Sequence, residues 1–230
     1  MEEFRRFAIY HAPRGTLADF GAAWLGWDSL RGCAVPHPEV PGLPRPLDQI
    51  TEAPRKYGLH GTIKPPFRLA PGTTATDLDH AAEALCARLA PVSLPGLTLA
   101  RLGGFLALVP QGDAGALPDL AAAIVTGLDR FRAAPTKAEI ARRRPDRLSP
   151  RQRQNLDQWG YPYVLDDFRF HITLTGSLPE VEAAQVQAIL APRIAPHLPA
   201  PFRIDALCLF GEGADGRFHL IHRYPLTGAG

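Results

Sequence analysis

Cysteine is scarce: the 230 residues hold three, Cys33, Cys86 and Cys208, odd in number and widely spaced. Such a set offers neither a disulfide framework nor a Cys-x-x-Cys metal site, and reads as reduced thiols of a cytoplasmic protein. Long apolar runs are missing as well. None approaches the roughly 18 residues of a membrane span, and the charged start Met1–Arg6 lacks the following apolar stretch of a signal peptide. Neither sign of charge dominates: 25 Lys and Arg against 23 Asp and Glu leave a net charge of +2. The sequence pI near 8.5 lies below the value of about 9 expected where a whole domain surface grips nucleic acid. The remaining histidines (His11, His37, His80, His197, His219, His222) show no metal-ligand spacing, so no metal or other cofactor is expected. These absences exclude a secreted knot, a membrane protein and a fibre, and name no activity.

What is present is an ordinary globular composition, 46% hydrophobic and 21% charged, with 24 prolines and 21 glycines. That much proline predicts short, sharply ended elements and rigid loops. Phe4–His11 reads as a strand, and Thr16 as the N-cap of a helix carrying Leu17, Phe20, Trp24 and Trp27 up to Gly32. Residues 33–55 hold six prolines without a period and read as a long loop. Tyr57–Ile63 reads as a strand ended by Pro65-Pro66. Thr74 with Asp77 caps a helix, and Leu97–Leu102 and Phe105–Val109 form a hairpin at Gly103-Gly104. Helices follow at Leu117–Phe131, Thr136–Arg144, Ser149–Trp159 and from Pro179. The strand Phe168–Thr175 precedes the last of these, and a hairpin of Phe202–Phe210 and Arg217–Tyr224 closes the chain. Each half therefore runs helix, connection, strand, helix, hairpin. The order predicts one α+β domain of two pseudo-twofold-related lobes, about 1–112 and 113–230, each an antiparallel sheet with flanking helices, facing one cleft.

The corresponding strand of each half carries the same pattern: His60-Gly61-Thr62 and His171-Ile172-Thr173. Side chains alternate along a strand, so each His shares a face with its Thr. Two imidazoles with ordinary pKa values near 6.5 can hold opposite protonation states, one as base and one as acid, in opening a phosphodiester. Two hydroxyls can donate to the phosphate oxygens. The paired H-x-T strands, with FAIY (7–10), RKYGLHGTIKPPFRLA (55–70), FRAAPTKAEIARRRPDRLSPRQ (131–152) and WGYPYVLDDFRFHITLTGSL (159–178), resemble the two-histidine (2H) phosphoesterase superfamily. The resemblance is to its branch labelled as a phosphonate-metabolism protein, found with carbon–phosphorus lyase genes. Gly61 and Ile63 depart from the Ala and Leu expected there. The resemblance implies a bilobal fold with His60 and His171 catalytic and Thr62 and Thr173 binding phosphate. It also implies a cyclic phosphodiester as substrate, a ribosyl cyclic phosphate by association.

By alternation, Lys64 joins His60 and Thr62, and Arg169 and Thr175 join His171 and Thr173, as candidate substrate contacts; Tyr10 is a further one. Tyr161 and Tyr163 read as packing residues. Gly211–Gly216 matches G-x-G-x-x-G but is followed by a strand-like run, which excludes a dinucleotide site. Six arginines between Arg142 and Arg153 form either a phosphate patch beside the cleft or a solvated surface. RNA end processing or 2′–5′ ligation is the alternative chemistry, and a non-catalytic nucleotide or RNA binder the alternative class. A small substrate fits the near-neutral charge better than RNA. A monomer is compatible with the pattern, and which His is base is left open.

Overall fold

The computed structural model describes residues 4–229. The chain begins with β1 (Phe7–His11), α1 (Gly15–Leu25) and two short strands, β2 (Trp27–Asp28) and β3 (Cys33–Ala34), which pair with each other. Two single-turn helices, α2 (Leu47–Ile50) and α3 (Glu52–Arg55), lead into β4 (Gly61–Phe67), followed by α4 (Ala75–Cys86). The strands β5 (Val92–Leu94), β6 (Leu97–Leu102) and β7 (Phe105–Pro110) precede α5 (Leu117–Gly127), α6 (Lys137–Arg142) and α7 (Pro150–Trp159). The remainder is β8 (Ile172–Thr173), α8 (Glu180–Ile194), β9 (Phe202–Ile204), β10 (Ala206–Glu212) and β11 (Phe218–Pro225). Capping boxes at Thr74/Asp77, Thr136/Glu139 and Ser149/Gln152 start α4, α6 and α7 as the sequence indicates. Each satisfies backbone N–H groups that the first helical turn leaves unpaired.

Seven strands form one antiparallel sheet in the order β11-β10-β1-β4-β8-β7-β6. The two H-x-T strands are its centre, β4 beside β8. The halves of the chain exchange hairpins around this seam. β6 and β7, from the first half, lie beside β8, while β10 and β11, from the second, lie beside β1 and β4. β1 is buried throughout, with both its faces covered. Phe7 and Ile9 join a core that gathers residues of α1, α4, α5 and α8, whereas Ala8 and Tyr10 join a smaller cluster with Cys208, Phe210 and Phe218.

Several boundaries differ from the sequence expectation. α1 ends at Gly26, in the left-handed conformation, and Trp27 lies in β2. Arg14, not Thr16, is the N-cap. The proline-rich stretch holds α2 and α3 at its end. β4 runs through Pro65 and Pro66 instead of stopping before them, at an irregular stretch of its pairing with β1 where full ladder donors are not needed. β8 is two residues long, Ile172–Thr173, shorter than the expected Phe168–Thr175.

Candidate active site

Gly61 pairs with Ile172 across the β4–β8 seam. Continuing that antiparallel register by one residue each way sets His60 opposite Thr173 and Thr62 opposite His171. The four side chains share the face away from Gly61 and Ile172. The histidines are then diagonal neighbours, about 7–8 Å apart along the sheet, each beside the other strand's threonine. A local twofold axis through the Gly61–Ile172 pair relates the two.

The imidazoles are oriented in the same way. Nδ1 of His60 donates to the carbonyl of Gly58 at 2.9 Å, and Nδ1 of His171 to the carbonyl of Arg169 at 2.8 Å. In each, the carbonyl two residues upstream holds the Nδ1 proton, so that a neutral ring has its lone pair, and a charged ring its second proton, on Nε2. Gly58 has φ of +70°, and a Cβ there would stand 2.2 Å from Ser29 Oγ. Only glycine lets this carbonyl aim at the ring. Thr62 Oγ1 lies 3.2 Å from His60 Nε2, so its hydroxyl donates to that lone pair. Burial pushes the His60 imidazole down to about 4, with the nearby His171 adding in the same direction and the Gly58 bond opposing it. His60 is thus neutral at pH 7.

Of the further candidates, Tyr10 faces the site. It lies opposite Thr62 in the β1–β4 pairing, and its ring packs against His60, tilted by 36° with centroids 4.0 Å apart. Burial raises its phenol well above the usual value. Thr175 borders the cleft, but its hydroxyl is engaged, accepting from Leu106 N at 3.0 Å and donating to the Gly176 carbonyl at 2.9 Å. The Arg169 guanidinium bonds the carbonyls of Asp166 and Phe168 and does not line the cleft. Lys64 points the other way. Tyr10 pairs with Thr62 and Ile9 with Lys64, so β4 carries one extra residue there. This bulge reverses the alternation beyond Ile63. Lys64 is 2% exposed, and its Nζ donates to Val125 O at 2.9 Å with Asp129 at 3.4 Å.

The cleft has a volume of about 340 Å³ and is lined by His60, Thr62 and Thr173, with His171 set behind Phe105 at its wall. Tyr57, three residues before His60, and Phe105, beside His171 with centroids 5.8 Å apart, are walls that the pattern did not single out. Tyr161, read as packing, lines the cleft, with the Arg143 guanidinium 4.5 Å from its ring centroid. Tyr163 is exposed. The arginine cluster divides: Arg143 reaches the cleft, while Arg151 pairs with Asp167 at 2.7 Å and Arg153 donates to the Leu148 carbonyl. Among the described residues, no three His, Cys, Asp or Glu side chains gather as a metal site.

A family model described as "Protein of unknown function (DUF1045)" matches residues 62–219. The chain belongs to the DUF1045 family. The DUF1045 match contains Thr62, His171 and Thr173 and begins two residues after His60. Two curated relatives are both named ribose 1,5-bisphosphate phosphokinase PhnN. That of Janthinobacterium sp. (strain Marseille) is 35% identical over 238 residues, covering 100% of this chain and 52% of the relative. That of Laribacter hongkongensis (strain HLHK9) is 34% identical over 215 residues, covering 92% of this chain and 49% of the relative. This DUF1045 chain thus spans about half the length of the curated relatives it matches. Similar solved structures include E. coli LigT complexed with 3′-AMP, at 16% identity and a TM-score of 0.46, covering 98% of this chain and 99% of that one. LigT complexed with phosphate, at 14% identity, gives a TM-score of 0.47 over the same shares. TT0787 of Thermus thermophilus, at 16% identity, gives 0.44 over 98% of this chain and 100% of that one.

Proposed function

We propose that this chain is a phosphodiesterase that hydrolyses a small cyclic phosphodiester without a metal ion. The observation that carries the proposal is the quartet across the central seam, two imidazoles on one diagonal and two hydroxyls on the other. In-line opening of a cyclic phosphate needs a base on the attacking water and an acid on the leaving alkoxide, on opposite sides of phosphorus. His60, held neutral by burial with its lone pair on Nε2, takes the proton from water. His171 gives the Nε2 proton of its imidazolium to the alkoxide. The water oxygen bonds to phosphorus, the ring P–O bond breaks, and a phosphomonoester with a free hydroxyl remains. Thr62 and Thr173 turn their hydroxyls to the non-bridging oxygens, where negative charge is stabilised. Thr62 releases His60 in doing so, which frees the base as substrate arrives.

The ribose bisphosphate in the relatives' names supports a ribosyl cyclic phosphate of phosphonate metabolism as the substrate. No helix among the described residues is long and apolar enough to cross a membrane, and three unpaired cysteines suit a reducing, cytoplasmic setting. The test is turnover by pure protein of ribosyl 1,2-cyclic phosphate and of nucleoside 2′,3′-cyclic phosphates. His60→Ala and His171→Ala are each expected to lower kcat by about 10²- to 10⁴-fold. No turnover of any cyclic phosphodiester, or turnover that survives the double substitution, would overturn the proposal.

A further inference from the structure

Beside the catalytic cleft lies a second recess of about 250 Å³, and the two share Tyr57, Pro66 and Arg143 in their walls. Its lining is strongly cationic: Arg6, Lys56, Arg68, Arg132, Arg142 and Arg143, with Glu139 as its one carboxylate. Three of these cations are already neutralised. Arg6 pairs with Glu212 at 2.6 Å, Arg68 with Glu139 at 3.1 Å and Arg132 with Asp129 at 2.7 Å. Lys56, Arg142 and Arg143 have no carboxylate within 4.0 Å among the described residues. Two of them rest on aromatic rings of the cleft wall, Lys56 over Tyr57 at 4.7 Å and Arg143 over Tyr161 at 4.5 Å. This stacking holds the cations at the passage between the two spaces without cancelling their charge.

We propose that this recess binds a second phosphate of the same substrate, a terminal phosphomonoester on the sugar whose cyclic phosphate occupies the quartet. The inference rests on the phosphodiesterase reading and specifies its substrate class. A monoester carries nearly two negative charges near pH 7, against one for a cyclic diester. It is therefore the group that three unpaired cations favour, through charge-assisted hydrogen bonds. The charge is local rather than spread over the surface, since the whole chain carries +2. That balance suits a compact bisphosphate better than a long polyanion.

The experiment compares adenosine 2′,3′-cyclic phosphate with its 5′-phosphorylated form. The phosphorylated form is expected to have a KM lower by at least about tenfold at similar kcat. The double variant Lys56→Gln/Arg142→Gln should erase that difference and leave the kinetics of the unphosphorylated compound unchanged. Equal KM values, or a preference that survives in the variant, overturn the inference. Should the protein turn over neither compound, the phosphodiesterase reading fails, and binding still tests the recess. Calorimetry should then show ribose 1,5-bisphosphate binding more tightly than ribose 1-phosphate, which lacks the terminal group, a preference lost in the double variant. Equal binding overturns the inference. So does salt-sensitive capture of a single-stranded RNA oligonucleotide that the double variant loses while no bisphosphate preference exists, an outcome that assigns the patch to RNA.

Discussion

Burial gives chemically similar side chains different tasks. His60, with its imidazole pushed down to about 4, stays neutral through the physiological range. The limb of kcat/KM that reports its protonation is therefore expected near pH 4 to 5, well below the ordinary 6.5. Activity falls as pH drops through that limb, because the protonated ring has no lone pair for water. A pH profile on any substrate that turns over measures it, and a limb at 6.5 would remove His60 as the base. Thr62→Val and Thr173→Val should each lower kcat by about 10²-fold with little change in fold. Lys64 takes the opposite task. Its buried ammonium is held by a carbonyl of the last turn of α5 and by Asp129, a favourable place for a cation. Lys64→Ala should cost about 3 kcal/mol of stability in urea denaturation while the folded variant keeps its KM. A raised KM with unchanged stability would return Lys64 to the cleft.

At the scale of elements, the seam between β4 and β8 depends on a missing side chain. A Cβ on Gly61 would stand 2.3 Å from the Phe170 ring, which is buried in the main core. Gly61→Ala should therefore cost about 1–3 kcal/mol, and pairing it with Phe170→Leu should recover part of the loss in a double-mutant cycle. Much of this level was legible in the sequence. The capping boxes and the Gly103-Gly104 hairpin rest on rules local to a few residues, and both hold. Lys64 was misplaced because alternation presumes an unbroken strand, while the bulge that reverses it is visible only in the pairing with β1. The walls Tyr57, from a turn, and Phe105, from the start of β7, are announced by no period in sequence, while Arg143 lies at the end of α6, in the arginine cluster whose place beside the cleft the sequence left open. Thr175 keeps the expected place, but its hydroxyl is spent on Leu106 and Gly176, a fact only tertiary contacts reveal.

For the whole molecule, acid is the expected weakness. His11 is 4% exposed, its Nδ1 donates to Ala206 O at 3.3 Å and its Nε2 has no partner. Burial pushes its pKa down to about 4. Between pH 6.5 and 4 the unfolded chain binds a proton here that the folded chain refuses. Stability therefore rises with pH across that window and is lost as pH falls, by up to about 3 kcal/mol. His11→Gln should remove its share of this slope and leave that of His60, whose imidazole burial also lowers to about 4, and an unchanged curve would show that His11 contributes none of it. The exchange of hairpins across the sheet has a consequence for biosynthesis. β1 is hydrogen-bonded to β10 from Phe7↔Gly211 to Tyr10↔Cys208, so a strand waits for a partner that leaves the ribosome only after the β4–β8 seam has been made. Until then β1, apolar on both faces, presents a bare edge to any neighbouring nascent chain. Deleting residues 202–225 would spare all four His and Thr groups, yet such a chain is expected in the insoluble fraction, and a chaperone that shields early strands should raise the yield of the intact protein.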